Sequence, residues 1–273
     1  MSSFEILCVT MHQNDFAKIQ EMNIHSDVVF ANQCDHTSYD EYEFEGYTAK
    51  MISTETRGVG INRNLALSYA SADICLLADD DVNYHDDMAA RVVAEFEAHP
   101  KADVIIFHLE TDDQIRKQPK YNETKKWTRF KGLPWGTFRV AIKLESVKKA
   151  NAWFTPLFGG GAIFPSGEDS MFLLSLRKAG LNFYVSKETI GSVSFETSTW
   201  FTGRDEKYFY ARGVFYKAAR PKTTYLWMLY FALKIKKTEL TFSQKMRWMR
   251  YGIDGYRKMK SFEEYKNFRR VLF

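Results

Sequence analysis

The chain has 273 residues, of which 45% are hydrophobic and 26% are charged, a globular composition that excludes a disordered or fibrous chain. The length suits one large domain, or a domain with an appendage. The net charge of +4 is unevenly spread, because residues 204–273 hold 18 Lys and Arg against 6 Asp and Glu, which leaves −8 on residues 1–203. A basic, aromatic tail on an acidic body indicates an anionic partner, either a membrane surface or nucleic acid.

The cysteines and the apolar runs indicate the compartment. Cys8, Cys34 and Cys75 lie in or beside apolar runs, at spacings unsuited to a zinc site, so we expect buried free thiols and a reducing environment. Residues 1–10 lack the basic segment and apolar core of a signal peptide. The apolar run YLWMLYFAL at 225–233 is too short to cross a bilayer. We therefore expect a cytoplasmic protein.

The first 110 residues alternate between strand and helix patterns. Strands are predicted over 4–10, 27–32, 47–53, 73–78 and 103–110, and helices over 13–22, 59–71 and 85–99. The predicted apolar faces are Ile61, Leu65 and Tyr69 in the second helix and Met88, Val92, Val93 and Phe96 in the third. The alternation indicates an α/β fold with a mostly parallel sheet flanked by helices.

The remaining chain is less regular. Residues 111–134 are polar, and 138–146 read as an edge strand. A glycine loop leads into a helix within 158–180, and a late strand is predicted at 181–186. After Gly203 the pattern is helical and basic, so we expect an α/β domain at 1–203 and a helical extension at 204–273.

Three consecutive aspartates follow the apolar strand at 73–78. Side by side, Asp79, Asp80 and Asp81 disfavour one another's ionisation. Ligands of α/β sheets bind beyond the carboxyl ends of the strands, where this Asp-x-Asp motif lies. Two carboxylates at this spacing can hold Mg²⁺ or Mn²⁺ and leave positions for phosphate oxygens. The alternative is a solvated acidic turn before the next helix.

Other polar residues follow strands at the same predicted edge. Gln13 and Asp35 each come shortly after a strand, which a random placement of loops would not produce. The stretch TRGVGINRN places Arg57 and Arg63 around two glycines at a helix start, where backbone N–H groups and guanidinium groups suit a diphosphate. The alternative is an ordinary solvated helix start.

Two later stretches carry further candidates. Glu168 and Asp169 open a helix shortly after a glycine triplet, and a carboxylate beside such room can serve as a general base. The alternative is a capping box formed by Ser166 and Asp169. Trp200 lies in a polar loop, where its ring either packs in the core or stacks on a sugar.

In this order, the segments ILCVT, NQCD, RGVGINRNLAL, ICLLADDDV and GEDSMFL resemble glycosyltransferase family 2, over roughly residues 4–200. The resemblance implies a GT-A (Rossmann-like) fold and inverting transfer of a sugar from a nucleotide sugar, most often UDP-linked, with Mn²⁺ or Mg²⁺ as cofactor. It also implies roles for individual residues. These are nucleotide binding by Thr10, Gln13, Asp35, Arg63, Asp79 and Asp80, metal binding by Asp81 with Asp79, and catalysis by Asp169 with Glu168 beside it. The residues themselves add Arg57 as a nucleotide-binding candidate and Gly160, Gly161 and Trp200 as acceptor-binding candidates.

Two departures from the family pattern stand out. The second strand ends in a single acid, Asp35, where relatives have paired acids followed by Gly-Ser, which weakens its assignment to the base. Gln244, Arg247 and Trp248 match a late Gln-x-x-Arg-Trp motif, but that motif accompanies a transmembrane channel in processive relatives, so we interpret the match as chance.

The expected acceptor is a glycan or a lipid-linked saccharide, in cell-surface polysaccharide synthesis. The cationic and aromatic extension is typical of helices at a membrane interface, so we expect peripheral attachment to the cytoplasmic face. A helical cap that merely packs on the body is the alternative. Nucleic acid is disfavoured because the acidic body would repel it. Two other functions remain open: a nucleotidyltransferase, and a non-catalytic sugar-binding protein on a degenerate transferase fold.

Overall fold

The computed structural model describes residues 2–111, 119–128, 136–194 and 203–272. Within these residues the chain forms one ten-stranded sheet and a set of helices. The strands are β1 (Phe4–Met11), β2 (Asp27–Gln33), β3 (Ser38–Phe44), β4 (Tyr47–Thr54), β5 (Ile74–Asp79), β6 (Val82–Tyr84), β7 (Val104–Glu110), β8 (Lys125–Lys126), β9 (Val140–Lys143) and β10 (Phe183–Val193). The helices are α1 (Lys18–Glu21), α2 (Val59–Tyr69), α3 (Met88–Ala98), α4 (Leu144–Lys149), α5 (Glu168–Lys178), α6 (Glu206–Ala219), α7 (Thr224–Lys234), α8 (Phe242–Arg257) and α9 (Phe262–Leu272), with a short 3-10 helix at Thr137–Arg139.

The strand order is β3-β4-β2-β1-β5-β9-β7-β10-β6, and β8 pairs with β10. Strands β4, β2, β1 and β5 run parallel, as do β7 and β10. The predicted α/β fold class is confirmed, and the sheet is mixed because β9 runs antiparallel between β5 and β7. The carboxyl ends of β1, β2 and β5 therefore meet at one edge, which is where such sheets bind ligands.

Both faces of the sheet are covered, which explains why its central strands are almost entirely apolar. One face packs against α3, whose predicted stripe is buried as expected. The opposite face packs against α2, α4 and α5. All three cysteines are buried free thiols, in agreement with the sequence.

Several local predictions were wrong. The segment 138–146 is not an edge strand, because β9 lies between β5 and β7 and the chain then enters α4. The helix expected at 13–22 is reduced to α1, because Asp15 accepts a hydrogen bond from the backbone N–H of Ala17 and holds the preceding residues in a turn. Strands β3 and β6 were not predicted; β3 is an exposed, polar edge strand without an apolar pattern.

The chain divides into two compact units. One contains Met1–Thr155 and Asp169–Ser198, and the other contains Pro156–Glu168 and Thr199–Phe273. The second, here called the helical unit, thus includes a segment that the sequence-based boundary at residue 203 left in the first domain. Within it, α6 and α8 pack so closely that a Cβ at Gly213 would overlap the backbone oxygen of Met249.

Two features of the helical unit bear on the sequence analysis. Gln244 caps α8: it accepts from the backbone N–H of Thr241 at 2.8 Å, and its own N–H donates to the Thr241 hydroxyl at 3.3 Å. This gives Gln244 a structural role independent of the Gln-x-x-Arg-Trp motif. Over the described part of the chain, no helix combines the length and the apolar character required to cross a bilayer.

Candidate active site

The aspartate triplet lies where β5 ends, between the ends of β1 and α2. The hydroxyl of Thr10, near the end of β1, donates to Oδ2 of Asp80 at 2.5 Å. Lys18 Nζ donates to the backbone carbonyl of Asp80 at 3.3 Å. The sequence-predicted residues Thr10 and Asp80 are therefore in direct contact, and Lys18 is a neighbour that the sequence pattern did not reveal.

Arg63 joins the triplet to a second carboxylate. Its Nη2 donates to Oδ1 of Asp79 at 2.7 Å, and its Nη1 donates to Oδ1 of Asp169 at 2.5 Å. The side chain is only 5% exposed, and its guanidinium lies over the ring of Phe154 at 5.4 Å from the centroid. This planar, forked group connects two carboxylates that are 90 residues apart in the sequence. Its position suits the orientation of Asp169 better than direct contact with a diphosphate.

Asp169 is a buried carboxylate held from two sides. The hydroxyl of Thr137 donates to its Oδ1 at 2.8 Å, beside the bond from Arg63. Burial raises the pKa of Asp169 above its usual value, the charge of Arg63 lowers it, and Asp79 raises it again. Because α5 begins at Glu168, the register of a capping box between Ser166 and Asp169 is not met, and the carboxylate is engaged elsewhere.

Asp81 is the last aspartate of the triplet, and its pKa is raised. Although the residue as a whole is exposed, loss of solvation around its carboxyl group, followed by the charges of Asp79 and Asp80, raises its pKa to about 6. Among the described residues, no three His, Cys, Asp or Glu side chains form a cluster that could hold a metal ion. Mg²⁺ and similar ions are commonly held by one or two carboxylates together with substrate phosphates. The residues present therefore fit a divalent cation whose ligands come partly from these carboxylates and partly from a substrate.

Polar residues of β2 and α2 hold the loop that follows β1. Asn32 accepts from the backbone N–H of Gln13 at 3.1 Å and donates to its carbonyl at 2.9 Å. Asn62 on α2 donates to the carbonyls of Thr10 at 3.2 Å and Ala31 at 2.7 Å. The strand ends and the helix start are thereby locked together, which fixes the edge at which the aspartates lie.

Arg57 and Asp35 form an exposed ion pair at the end of β2. The guanidinium of Arg57 contacts the carboxylate of Asp35 and also donates to the carbonyl of Cys34 at 2.7 Å. The Asp35 side chain is 81% exposed. Both groups remain accessible to a ligand, in contrast to the buried Arg63.

Three other predicted site residues are assigned to the second compact unit. Glu168, Gly160 and Gly161 belong to the helical unit. Trp200 lies outside the described residues. Sequence reasoning missed Thr137, Phe154 and Asn62. The only sequence signal for Asn62 was its place in the Gly-Ile-Asn-Arg-Asn stretch, and nothing in the local pattern singled out Thr137 or Phe154.

Comparisons with known proteins show a family match and a shared fold. The family model described as glycosyl transferase family 2 matches residues 27–147. No match was found among curated proteins. The fold is similar to S. aureus TarS 1–349 in complex with UDP, with a TM-score of 0.60 and 14% identity over 95% of this chain and 93% of that chain. The complex of TarS 1–349 with UDP-GlcNAc gives a TM-score of 0.56 and 15% identity, over 94% of this chain and 73% of that chain.

The family match confirms the resemblance found in the sequence, and with it the prediction of a glycosyltransferase. At these low identities the structural likeness shows the fold alone, which is the expected GT-A fold. The matched segment contains the Gly-Arg-Asn stretch and the aspartate triplet, whereas Asp169 lies beyond it.

Proposed function

We propose that this chain, a glycosyltransferase by its family match, transfers a sugar from a UDP-linked donor to an acceptor hydroxyl with inversion of configuration. The observation that carries the proposal is the bridge from Asp79 through Arg63 to Asp169. It connects the strand-end aspartates to a buried carboxylate of raised pKa. The UDP and UDP-GlcNAc complexes of the similar TarS fold support a UDP-linked donor.

In this proposal Asp169 is the general base. Its raised pKa makes it a stronger proton acceptor than a solvated carboxylate. The acceptor hydroxyl loses its proton to Asp169 while its oxygen forms a bond to the anomeric carbon. The bond from that carbon to the diphosphate oxygen breaks, and the electron pair leaves with the nucleotide. Attack from the face opposite the leaving group inverts the configuration. Arg63 and Thr137 fix the orientation of the carboxylate.

The donor lies at the ends of β1, β2 and β5. Asp81 and Asp79 would hold Mn²⁺ or Mg²⁺, which when bound would supply positive charge for the departing diphosphate. Thr10, Gln13 and Asp80 line the nucleotide pocket, and the exposed pair of Arg57 and Asp35 contacts the nucleotide. Positive charge placed at the leaving group stabilises the transition state more than the ground state.

The acceptor is a glycan or lipid-linked saccharide of cell-surface polysaccharide synthesis, reached at a membrane surface. Helix α7 supports this. Met228 and Ala232 are buried in the helical unit, but the opposite face exposes large apolar side chains. That face, here called the α7 face, consists of Tyr225 (59% exposed), Leu226 (66%), Leu229 (43%), Tyr230 (43%) and Leu233 (62%).

The charges around the α7 face indicate what kind of partner binds it. Residues 207–238 contain 8 Lys and Arg and no Asp or Glu, and Lys222, Lys234, Lys236 and Lys237 are exposed beside the face. Apolar and aromatic side chains flanked by cations are typical of helices that lie in the interface of an anionic membrane. The occupant we propose is therefore an anionic lipid surface.

A thermal-shift screen of nucleotide sugars with and without Mn²⁺, followed by an assay of donor hydrolysis, tests the function. We expect Mn²⁺-dependent stabilisation by UDP and by one UDP-sugar, with slow release of UDP from that donor. A nucleotidyltransferase would instead release pyrophosphate from a nucleoside triphosphate. Binding of sugars without turnover of any donor would support the sugar-binding alternative and refute the proposal.

A further inference from the structure

Arg139 is a buried cation that the proposed reaction does not use. It ends the 3-10 helix before β9 and is only 1% exposed. Its Nε is sequestered without a hydrogen-bond partner, and within the described ranges the guanidinium forms no ion pair with a carboxylate. Burial lowers its pKa to about 10. Buried arginines are normally paired, because an uncompensated charge in the interior is strongly destabilising.

Two further unpartnered atoms lie on the neighbouring strands. His108 Nδ1 on β7 and Thr189 Oγ1 on β10 are both buried without a hydrogen-bond partner in the described structure. The two residues are paired directly in the β7–β10 ladder. Arg139 precedes Val140, which pairs with Ile106, two residues before His108 on β7. Burial lowers the pKa of His108, and the charge of Arg139 lowers it further. Among the described residues, the 3-10 helix before β9 and the adjacent strands β7 and β10 thus each present one buried polar atom without a hydrogen-bond partner.

The location separates this group from the donor residues. In the sheet order β2-β1-β5-β9-β7-β10, the nucleotide candidates lie at the ends of β1, β2 and β5. Arg139 instead directly precedes β9, and His108 and Thr189 lie in β7 and β10. Neighbouring strands lie about 4.8 Å apart, so β7 is about 10 Å from β5 and about 14 Å from β1. An anion held here is therefore distinct from the donor diphosphate.

We infer that Arg139, with His108 and Thr189 beside it, binds an oxyanion of the acceptor, a phosphate or a carboxylate. The assignment of this anion to the acceptor rests on the proposed function. A planar guanidinium matches both oxyanions through paired N–H donors, and a hydroxyl and an imidazole add a donor each. The anion supplies the charge and the hydrogen bonds that the fold leaves unmet. The acceptor is thereby defined as an anionic saccharide rather than a neutral one.

The variant Arg139→Met tests this through two opposite effects. Removal of an unpaired buried charge should raise the Tm of the free protein by at least about 2 °C. Inorganic phosphate or acetate, added at saturating UDP and Mn²⁺, should raise the Tm of the wild type, and about 10- to 100-fold more of the anion should be needed in the variant. Arg139→Lys, which keeps the charge, should need an anion concentration between those of the wild type and Arg139→Met. Arg250→Met, which removes an exposed arginine on α8, is the matched control and should respond like the wild type.

The other outcomes are distinguishable. If neither anion stabilises the wild type, or if Arg139→Met responds like the wild type, the inference is wrong. If Arg139→Met weakens the binding of UDP itself, Arg139 belongs to the donor site and the inference is equally wrong. If the wild type fails to bind UDP, the proposed function fails. In that case the Tm shift caused by phosphate or acetate alone still tests the oxyanion site. If Arg139→Met does not fold, the same Tm shift is measured on Arg139→Lys.

Discussion

Arg63 donates to Asp169 at 2.5 Å across a separation of 106 residues, and both side chains are almost completely buried. The same guanidinium holds Asp79 at the end of β5. A carboxylate in this position has its charge stabilised on one oxygen by Arg63 and Thr137. Its burial keeps it basic. The pair therefore supports the proposal of Asp169 as the general base, because the carboxylate is held in one orientation and its pKa is raised.

Asp169→Asn should reduce sugar transfer by about 10²- to 10⁴-fold, because the amide keeps the shape of the side chain but cannot accept the proton. The affinity for UDP with Mn²⁺, measured by calorimetry, should change little. Asp87→Asn, at an exposed carboxylate paired with Arg91, is the control and should leave both quantities unchanged. Near-normal turnover by Asp169→Asn would show that Asp169 is not the base.

Arg63→Met should destabilise the fold by about 3–5 kcal/mol, because it leaves the buried carboxylate of Asp169 without its cation. Arg63 lowers the pKa of Asp169, so its loss should move the acid limb of the kcat/KM profile to higher pH. The stability of the variant should fall as pH rises through that higher pKa, since the folded state favours the protonated acid. A pH–rate profile identical to that of the wild type would contradict the positioning role of Arg63.

Asp81 provides a prediction about pH and metal. Its pKa of about 6 lies above the usual value for aspartate, so the fold favours the protonated form. In the absence of metal, the stability contributed by this group should be present below about pH 4 and be lost as pH rises through 6. With Mn²⁺ and UDP the trend should reverse, and below pH 6 their binding should weaken about tenfold per pH unit because the proton competes with the cation.

The variant Asp81→Asn should abolish both trends, measured as Tm between pH 4.5 and 7.5 with and without Mn²⁺ and UDP. Glu145→Gln, on the exposed surface of α4, should preserve them. Mn²⁺-dependent binding of UDP that survives in Asp81→Asn would exclude Asp81 as a metal ligand.

The helical unit depends on the close approach of α6 and α8. Gly213→Ala should destabilise the protein by about 1–3 kcal/mol, because the added Cβ overlaps the Met249 carbonyl and forces the helix backbones apart. A Cβ at Gly160 meets nothing within 4 Å, so Gly160→Ala is the steric control and should change stability little. Equal Tm values for the two variants would contradict the observed packing.

The parts of the fold that sequence predicted well are those with strong apolar periodicity. The buried strands β1, β5 and β7 and the stripe of α3 follow from burial on one or both faces. Helix α2 shows the limit of this reasoning. Its predicted face ended in Tyr69, which is 42% exposed, whereas Asn62 and Arg63 are buried. These polar side chains are buried because strand-end carbonyls and carboxylates satisfy them, and an apolar pattern contains no signal for that.

The site was predictable only in part, for a related reason. The aspartate triplet and Asp169 could be found because each lies in a compact local motif. The contact of Thr137 with Asp169 spans 32 residues and depends on how β9 enters the sheet. Because β9 was interpreted as part of an edge strand, the 3-10 helix that carries Thr137 and Arg139 could not be placed beside the site.

Helix α7 gives the last prediction, on the proposed membrane surface. The double variant Leu226→Glu/Leu233→Glu removes the two most exposed leucines of the α7 face. We expect it to bind vesicles of phosphatidylcholine with phosphatidylglycerol at least about tenfold more weakly than the wild type, because buried apolar area is lost and like charges face the lipid. Flotation of the full chain measures this, and higher salt should weaken binding of the wild type.

The matched control is Phe242→Glu, which removes another exposed apolar side chain of the helical unit outside the α7 face. It should float like the wild type apart from the effect of one added negative charge. If the wild type does not float, or the double variant floats equally well, α7 does not dock on lipid. A mass measurement by light scattering then separates the remaining occupants. A dimer that the double variant dissociates would assign the α7 face to a second copy of the chain.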